Sequence, residues 1–265
     1  MCTRGKRTGD IRRGGLLGAL ALLVVVGLGV TGAMAGETTL QRIKRTGKMV
    51  VGNSGVYPPF EFKEAGELVG YDIDLTHVIA RKLGVKPEIV VVEFKGIIPA
   101  LKSGRVDILI SGMTYTEGRA KEMAYSESYY NTAMAIATRK DDARVSKKDD
   151  LAGKLVGAEM GSTGEREARS VKGVKEVKTY DTPMLAMRDL EIGRLDAVIS
   201  TRPVIQYMIS RSFPKSRIAS SYNEGFVGIN TRLEDQDFLQ EINRILRELK
   251  QSGELQALQR KWFGQ

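Results

Sequence analysis

An eleven-residue pattern that occurs twice constrains this chain more than any other feature. Leu101-Lys102-Ser103-Gly104-Arg105-Val106-Asp107-Ile108-Leu109-Ile110-Ser111 returns 89 positions later as Leu190-Glu191-Ile192-Gly193-Arg194-Leu195-Asp196-Ala197-Val198-Ile199-Ser200. Each copy reads as a helix end, a Gly-Arg turn, an aspartate, a buried apolar strand and a serine. A continuous run of this kind suits a strand covered on both faces, as in parallel sheets. One echo is no solenoid. It predicts two lobes of like βα design, each offering a strand end to a shared cleft.

The first strand end carries the clearest chemistry. Residues 106–110 run into Ser111-Gly112-Met113-Thr114-Tyr115-Thr116-Glu117-Gly118-Arg119. Ligands of open α/β sheets sit beyond the carboxyl ends of the strands. A planar guanidinium there can grip a carboxylate with two parallel hydrogen bonds. Thr114 and the backbone around Gly112 can complete a polar cradle. An isolated arginine at a helix start is ordinarily a solvated one; the flanking pattern favours the ligand role for Arg119.

Other segments feed the same edge. Met49-Val50-Val51-Gly52 opens a strand that ends in Asn53-Ser54-Gly55-Val56-Tyr57-Pro58-Pro59-Phe60. The prolines hold that segment extended, so Tyr57 and Phe60 point in set directions. Phe60 and Phe62 read as core; for Tyr57, core and ligand site are both open. Gly66 marks a hairpin-like turn. Leu75, Val78, Ile79 and Leu83 lie at helical spacing, ended by Gly84. His77, the only histidine, lies in that helix with no triad or zinc partner in view. Ile89–Val92 forms the next strand and delivers Phe94–Pro99 to the sheet edge. In the second lobe Leu155–Ala158 runs into Glu159-Met160-Gly161-Ser162-Thr163-Gly164 and a helix over 165–170. Small residues at a helix start leave N–H groups free for a carboxylate, though ordinary βα turns use them too. Asp181-Thr182-Pro183 caps a further helix. The second echo strand leads to Ser200-Thr201-Arg202-Pro203. Tyr222–Ile229 is extended, and Phe238, Ile242, Ile245 and Leu249 mark a helix predicted to pack on the first lobe.

Composition narrows the class. Residues 1–13 hold five basic side chains and one acid; Leu16–Val30 is an apolar core, and Ala33-Met34-Ala35 is a small-x-small site. The pattern is a secretory signal peptide cleaved after Ala35, with an uncleaved anchor as the alternative. The only cysteine, Cys2, precedes the apolar core, so a lipid anchor is disfavoured, and the mature chain holds no thiol for a disulfide, nucleophile or metal. Without the leader, 36 basic and 31 acidic side chains leave a net charge of +5. That is no nucleic-acid signature.

Val51–Phe62, Val69-Gly70-Tyr71-Asp72-Ile73-Asp74-Leu75, Phe94–Leu101, Ser111–Arg119, Gly193–Val198 and Lys261-Trp262-Phe263-Gly264 together resemble the polar amino-acid type of bacterial extracellular solute-binding proteins, family 3. The resemblance covers essentially the whole mature chain. It implies an α/β, two-lobed periplasmic-binding-protein (Venus flytrap) fold. Residues 36–130 and 226–265 would form one lobe and 131–225 the other, hinged near 129–133 and 221–226. It further implies a monomeric periplasmic receptor that closes on an amino acid or similar carboxylate and docks on the permease of an ABC transporter. No cofactor or metal is implied. Arg119 would pair with the ligand carboxylate, and Thr163, with backbone N–H groups near Ser162 and Gly164, would complete the grip. Gly112 and Thr114 would meet the ammonium, and Tyr57 and Phe94 would sandwich the side chain.

Two departures bear on the ligand. Relatives usually carry an aspartate, facing the ammonium, where this chain has Thr201, and many carry an acid where it has Ser54. Either Glu159 or Glu224 replaces the counter-charge, or the ligand is not an ordinary α-amino acid. Without a replacement the pocket would prefer ligands of net negative charge. Two other classes compete. A few relatives are cyclohexadienyl (prephenate or arogenate) dehydratases, with a glutamate where Glu165 stands, although a glutamate in a first helical turn is ordinary capping chemistry. A sensor domain is disfavoured, because no transmembrane or kinase segment follows before Gln265.

Overall fold

The computed structural model describes residues 36–264, so the leader and its cleavage after Ala35 lie outside the described residues. The first stretch runs α1 (Thr39–Thr46), β1 (Lys48–Asn53), the hairpin β2 (Phe62–Glu64) and β3 (Glu67–Val69), α2 (Tyr71–Leu83), β4 (Lys86–Val91), α3 (Phe94–Lys102), β5 (Ile108–Leu109), α4 (Glu117–Ala120) and β6 (Ala124–Tyr125). The middle runs β7 (Tyr130–Arg139), β8 (Leu155–Glu159), α5 (Thr163–Ser170), β9 (Glu176–Tyr180), α6 (Pro183–Glu191), β10 (Ala197–Thr201), α7 (Arg202–Arg211) and β11 (Ser216–Val227). The chain then returns through β12 (Asn230–Thr231), α8 (Gln236–Ser252) and α9 (Glu254–Phe263).

Two five-stranded sheets result, ordered β4-β1-β5-β12-β6 and β11-β7-β10-β8-β9. β1 pairs in parallel with β4 and β5, and β8 in parallel with β9 and β10. Parallel neighbours need helical crossovers, which is why α2, α3, α5 and α6 alternate with these strands. The architecture is the two-lobed α/β one. The chain leaves the first sheet between Tyr125 and Tyr130 and returns between Val227 and Asn230. β11 stays paired with β7 as far as Val227 opposite Tyr130, while the Phe226 carbonyl already accepts the Tyr115 N–H of the first lobe.

The repeated pattern has a structural cause. Asp107 accepts the Val50 N–H at 2.9 Å and pairs with Arg42; Asp196 accepts the Leu155 N–H at 2.8 Å and pairs with Arg144. In each lobe one aspartate therefore ties the crossover strand to the start of its neighbour.

Local signals explain the helices that bound the site. Gly84 ends α2 in the left-handed conformation, φ 73°. Thr182 caps α6, with Pro183 at its first position. α8 buries Phe238, Ile242, Ile245 and Leu249 along one face, against β6 and β12 of the first sheet. The carboxyl end of α9 reaches the hinge, where the Phe263 ring stacks on Tyr130 at 4.2 Å. His77 is exposed on α2.

Of the long antiparallel pair, β7 and the first half of β11, before Tyr222, are not legible in the sequence. The Ala-Met-Ala-Ile-Ala core of β7 has good helix formers, and β11 opens on small and polar residues with no apolar alternation. Their mutual pairing overrides local preference. The same holds for α7, whose proline at its second position sits directly behind β10.

A cavity between the lobes as candidate functional site

The strand ends of both sheets meet around a small, nearly closed cavity. It is lined by Tyr57, Phe94, Gly112, Thr114 and Arg119 from the first lobe, and by Met134, Glu159, Ser162, Thr163, Gly164, Ser200 and Thr201 from the second. The structure thus brings together nine of the ten residues singled out from the sequence. Ser54 is not among the lining residues. It is 2% exposed, and its hydroxyl donates to Glu61 Oε1 at 2.8 Å, away from the cavity.

Arg119 sits on the one-turn α4, whose N-cap Thr116 accepts the Arg119 N–H at 3.2 Å. Its side chain is buried, and every hydrogen bond it makes ends on a neutral oxygen. Nη1 donates to the Thr114 carbonyl at 3.0 Å and to Thr163 Oγ1 at 3.5 Å; Nη2 donates to the Gly161 carbonyl at 3.2 Å. Two of these acceptors belong to the opposite lobe. The guanidinium also lies 5.3 Å from the centre of the Phe94 ring. Burial lowers its pKa, yet an arginine stays charged. The result is a buried cation with no bonded anion among the described residues.

The turn before Arg119 is held from behind. Gly112 has φ +52°, and a Cβ there would come within 2.7 Å of the Tyr57 ring, so glycine lets the ring lie on the backbone. Its N–H donates to Asp72 Oδ2 at 2.6 Å, and the Tyr129 hydroxyl donates to the same atom at 3.0 Å. Asp72 lies beside a second buried acid, Glu61, whose Oε1 accepts Ser54 Oγ at 2.8 Å and Ser111 Oγ at 2.5 Å. Burial and the neighbouring Asp72 push the Glu61 carboxyl well above the usual range, and burial moves Asp72 up to about 6. The remaining oxygens, Glu61 Oε2 and Asp72 Oδ1, have no other partner. Two buried carboxyls side by side favour protonation of one of them.

Tyr57 spans the cleft. Its hydroxyl lies 2.7 Å from Thr201 Oγ1 and 3.5 Å from Ser200 Oγ, and burial pushes it up to about 12. In the second lobe, Ser162 caps α5 by accepting the Glu165 N–H at 3.1 Å. A Cβ on Gly164 would stand 2.3 Å from the Ile199 carbonyl oxygen, so only glycine lets α5 start this close to β10. Thr163 Oγ1 also accepts from the exposed Arg166 at 3.1 Å.

Of the two acids weighed as replacements at Thr201, Glu159 lines the cavity. Glu224 is exposed in an open groove at the hinge, with Tyr207 and Trp262. Glu159 is one of the two acids named from the sequence, where spacing alone does not say which of them turns inward. Met134 and Ser200 are not singled out by the sequence. Glu165, the residue weighed for an enzymatic role, is not a lining residue. It accepts the Gly161 N–H at 2.7 Å and pairs with Arg169 at 2.8 Å, which is capping chemistry.

The arrangement resembles that of known proteins. The family of bacterial extracellular solute-binding proteins, family 3, matches residues 49–265. The L-cystine-binding protein TcyJ of Escherichia coli (strain K12) is 30% identical over 95% of this chain and 96% of its own length. The arginine-binding extracellular protein ArtP of Bacillus subtilis (strain 168) is 32% identical over 82% of this chain and 86% of its own. Among solved structures, a mutant of the arginine-binding protein ArgBP from T. maritima superposes with a TM-score of 0.82 at 39% identity, covering 86% of this chain and 100% of its own. An ancestral amino acid-binding protein, a precursor of cyclohexadienyl dehydratase, gives 0.81 at 32%, covering 85% and 100%.

Proposed function

The chain belongs to the bacterial extracellular solute-binding proteins, family 3, and from that membership we propose that it is the periplasmic receptor of an ABC importer. It captures an amino acid or a close carboxylate-bearing analogue between its lobes and presents it to the membrane permease. The relatives named for cystine and arginine bind ligands that share a carboxylate beside an ammonium. Export through the leader at residues 1–35, cleaved after Ala35, fits that location.

One observation carries the reading. Arg119 is 5% exposed between the lobes, bonded only to neutral oxygens. A buried cation is tolerated when an anion pairs with it, and a ligand carboxylate supplies that anion. Thr163 and the backbone N–H groups at Ser162 and Gly164, at the start of α5, complete the grip. Gly112 and Thr114 receive the ammonium end, and Tyr57 and Phe94 flank the side chain. The two crossings act as the hinge, so that closing the lobes removes the ion pairs from water.

The test begins with thermal shift of the mature protein against the common L-amino acids and L-cystine, because a ligand at 100 times its Kd adds about 2.7 kcal/mol. For whichever binds, Arg119→Ala should cost about 2–5 kcal/mol by calorimetry, and Arg119→Lys should restore only part of it. An alanine variant that binds within about twofold of wild type, under 1 kcal/mol, puts the anchor elsewhere.

A further inference from the structure

The carboxylate grip leaves a second buried charge unexplained. Glu159 ends β8, is 3% exposed, and neither oxygen of its carboxylate has a hydrogen-bond partner. It lines the same cavity as Arg119, yet the guanidinium spends its bonds on Thr114, Gly161 and Thr163. Of the twelve lining residues these two alone carry charge; the other polar side chains are the hydroxyls of Tyr57, Thr114, Ser162, Thr163, Ser200 and Thr201. Hydroxyls do not offset the cost of taking a carboxylate out of water.

The sheet explains why the acid stands here. Val198 of β10 lies opposite Gly157 of β8; two residues further on, β8 ends at Glu159 and β10 has reached Ser200, one residue before its end. Glu159 is therefore the neighbour, one strand over, of the Ser200-Thr201 pair that faces Tyr57. The charged and titratable groups that bear on this region are Arg119, Tyr57 and, through them, Glu61, Tyr125 and the exposed Arg166, which bonds Thr163 Oγ1. Burial pushes the carboxyl up to about 8, and Arg119 opposes that only in part. Glu61 is not a lining residue, and its Oε1 accepts from both Ser54 and Ser111.

We propose that Glu159 is the specificity-determining acceptor of a ligand ammonium, and that the cleft selects α-amino acids with uncharged side chains. The inference rests on the receptor reading above and adds the charge of the ligand to it. A zwitterion places one negative charge on Arg119 and one positive charge on Glu159, and both buried charges are matched. Arginine or lysine brings a second cation for which the lining holds no anion. Glutamate or aspartate brings a second anion with no second cation. A 2-hydroxy acid pairs with Arg119 and leaves Glu159 as it was. With Glu159 present, the preference for net negative ligands that Thr201 alone would give does not arise.

Calorimetry on the mature protein tests this with L-glutamine, L-leucine, L-serine and L-cysteine as neutral probes, L-arginine and L-lysine as basic ones, and L-glutamate and L-aspartate as acidic ones. The expected result is a neutral probe binding roughly tenfold or more tightly than any charged one. Glu159→Gln, which keeps the side chain's shape, should weaken that probe by roughly tenfold or more while leaving its 2-hydroxy analogue within about threefold. A general loss of structure would weaken both alike. Thr201→Asp adds a second acid and should raise L-arginine affinity. The proposal is overturned if a basic or acidic probe ranks first on wild type, or if Glu159→Gln leaves the neutral probe unchanged. A wild-type protein that binds none of the probes overturns the receptor reading instead, and this inference with it.

Discussion

Arg119 and Glu159 share one cavity without bonding each other, so the closed cleft holds a cation and a buried acid that only a ligand pairs. The consequence is measurable without any ligand. Burial moves the Glu159 carboxyl from 4.5 to about 8, so the closed fold prefers its protonated form. That preference is fully present below about pH 4.5 and is lost as the pH rises through about 8. Glu159→Gln imitates the neutral form at every pH. Ligand-free wild type and variant should therefore melt together near pH 4.5, and the variant should gain an advantage that grows toward pH 8 and then levels. Glu61 and Asp72, also pushed upward, are common to both proteins and cancel in the difference. Scanning calorimetry reads it; parallel pH profiles would show that Glu159 stays hydrated in the empty protein.

Among the elements, the turn that carries Gly112, Thr114 and Arg119 is positioned chiefly from α2 and from the loop before β2. Asp72, in the first turn of α2, accepts the Gly112 N–H, and Glu61 gathers Ser54 and Ser111 at the ends of β1 and β5. The two acids hold these three segments in register through the hydrogen bonds they accept. Glu61→Gln should be nearly neutral, because the amide oxygen still accepts from both serines while its N–H donates to Asp72. Glu61→Leu leaves two hydroxyls and the Asp72 carboxylate without partners, and should cost about 3–5 kcal/mol. Urea unfolding separates the two. If the leucine variant is as stable as the glutamine variant, the pair is not what braces the turn.

For the molecule as a whole, the cavity exists because the lobes meet. Arg119 reaches Gly161 and Thr163, Tyr57 reaches Thr201, and Lys95 lies 3.6 Å from Asp181 at the rim. These few contacts oppose the burial of two unmatched charges. The ligand-free protein should therefore populate an open form, and ligand should shift it to the closed one. Small-angle scattering with and without a saturating amino acid should show the radius of gyration fall on loading; superimposable profiles would sink the hinge mechanism.

The amino-acid sequence by itself determined the two βα lobes, because buried parallel strands and their capped crossover helices are written in local runs of residue types. The repeated pattern, Gly84, the Thr182-Pro183 cap and the 238–249 stripe are of that kind. It also determined most of the cavity, since strand ends and glycine turns are where such folds place a ligand. Tertiary structure decided the rest. The Ala-rich β7 is a strand only because β10 and β11 flank it. Ser54 turned to Glu61 because two buried carboxyls needed donors more than the cavity did. Glu159 lines the same cavity as Arg119 because parallel register sets it beside Ser200, a neighbour 41 positions away in the chain. Which charges meet depends on side-chain direction and on burial, and neither belongs to a residue until the lobes are packed.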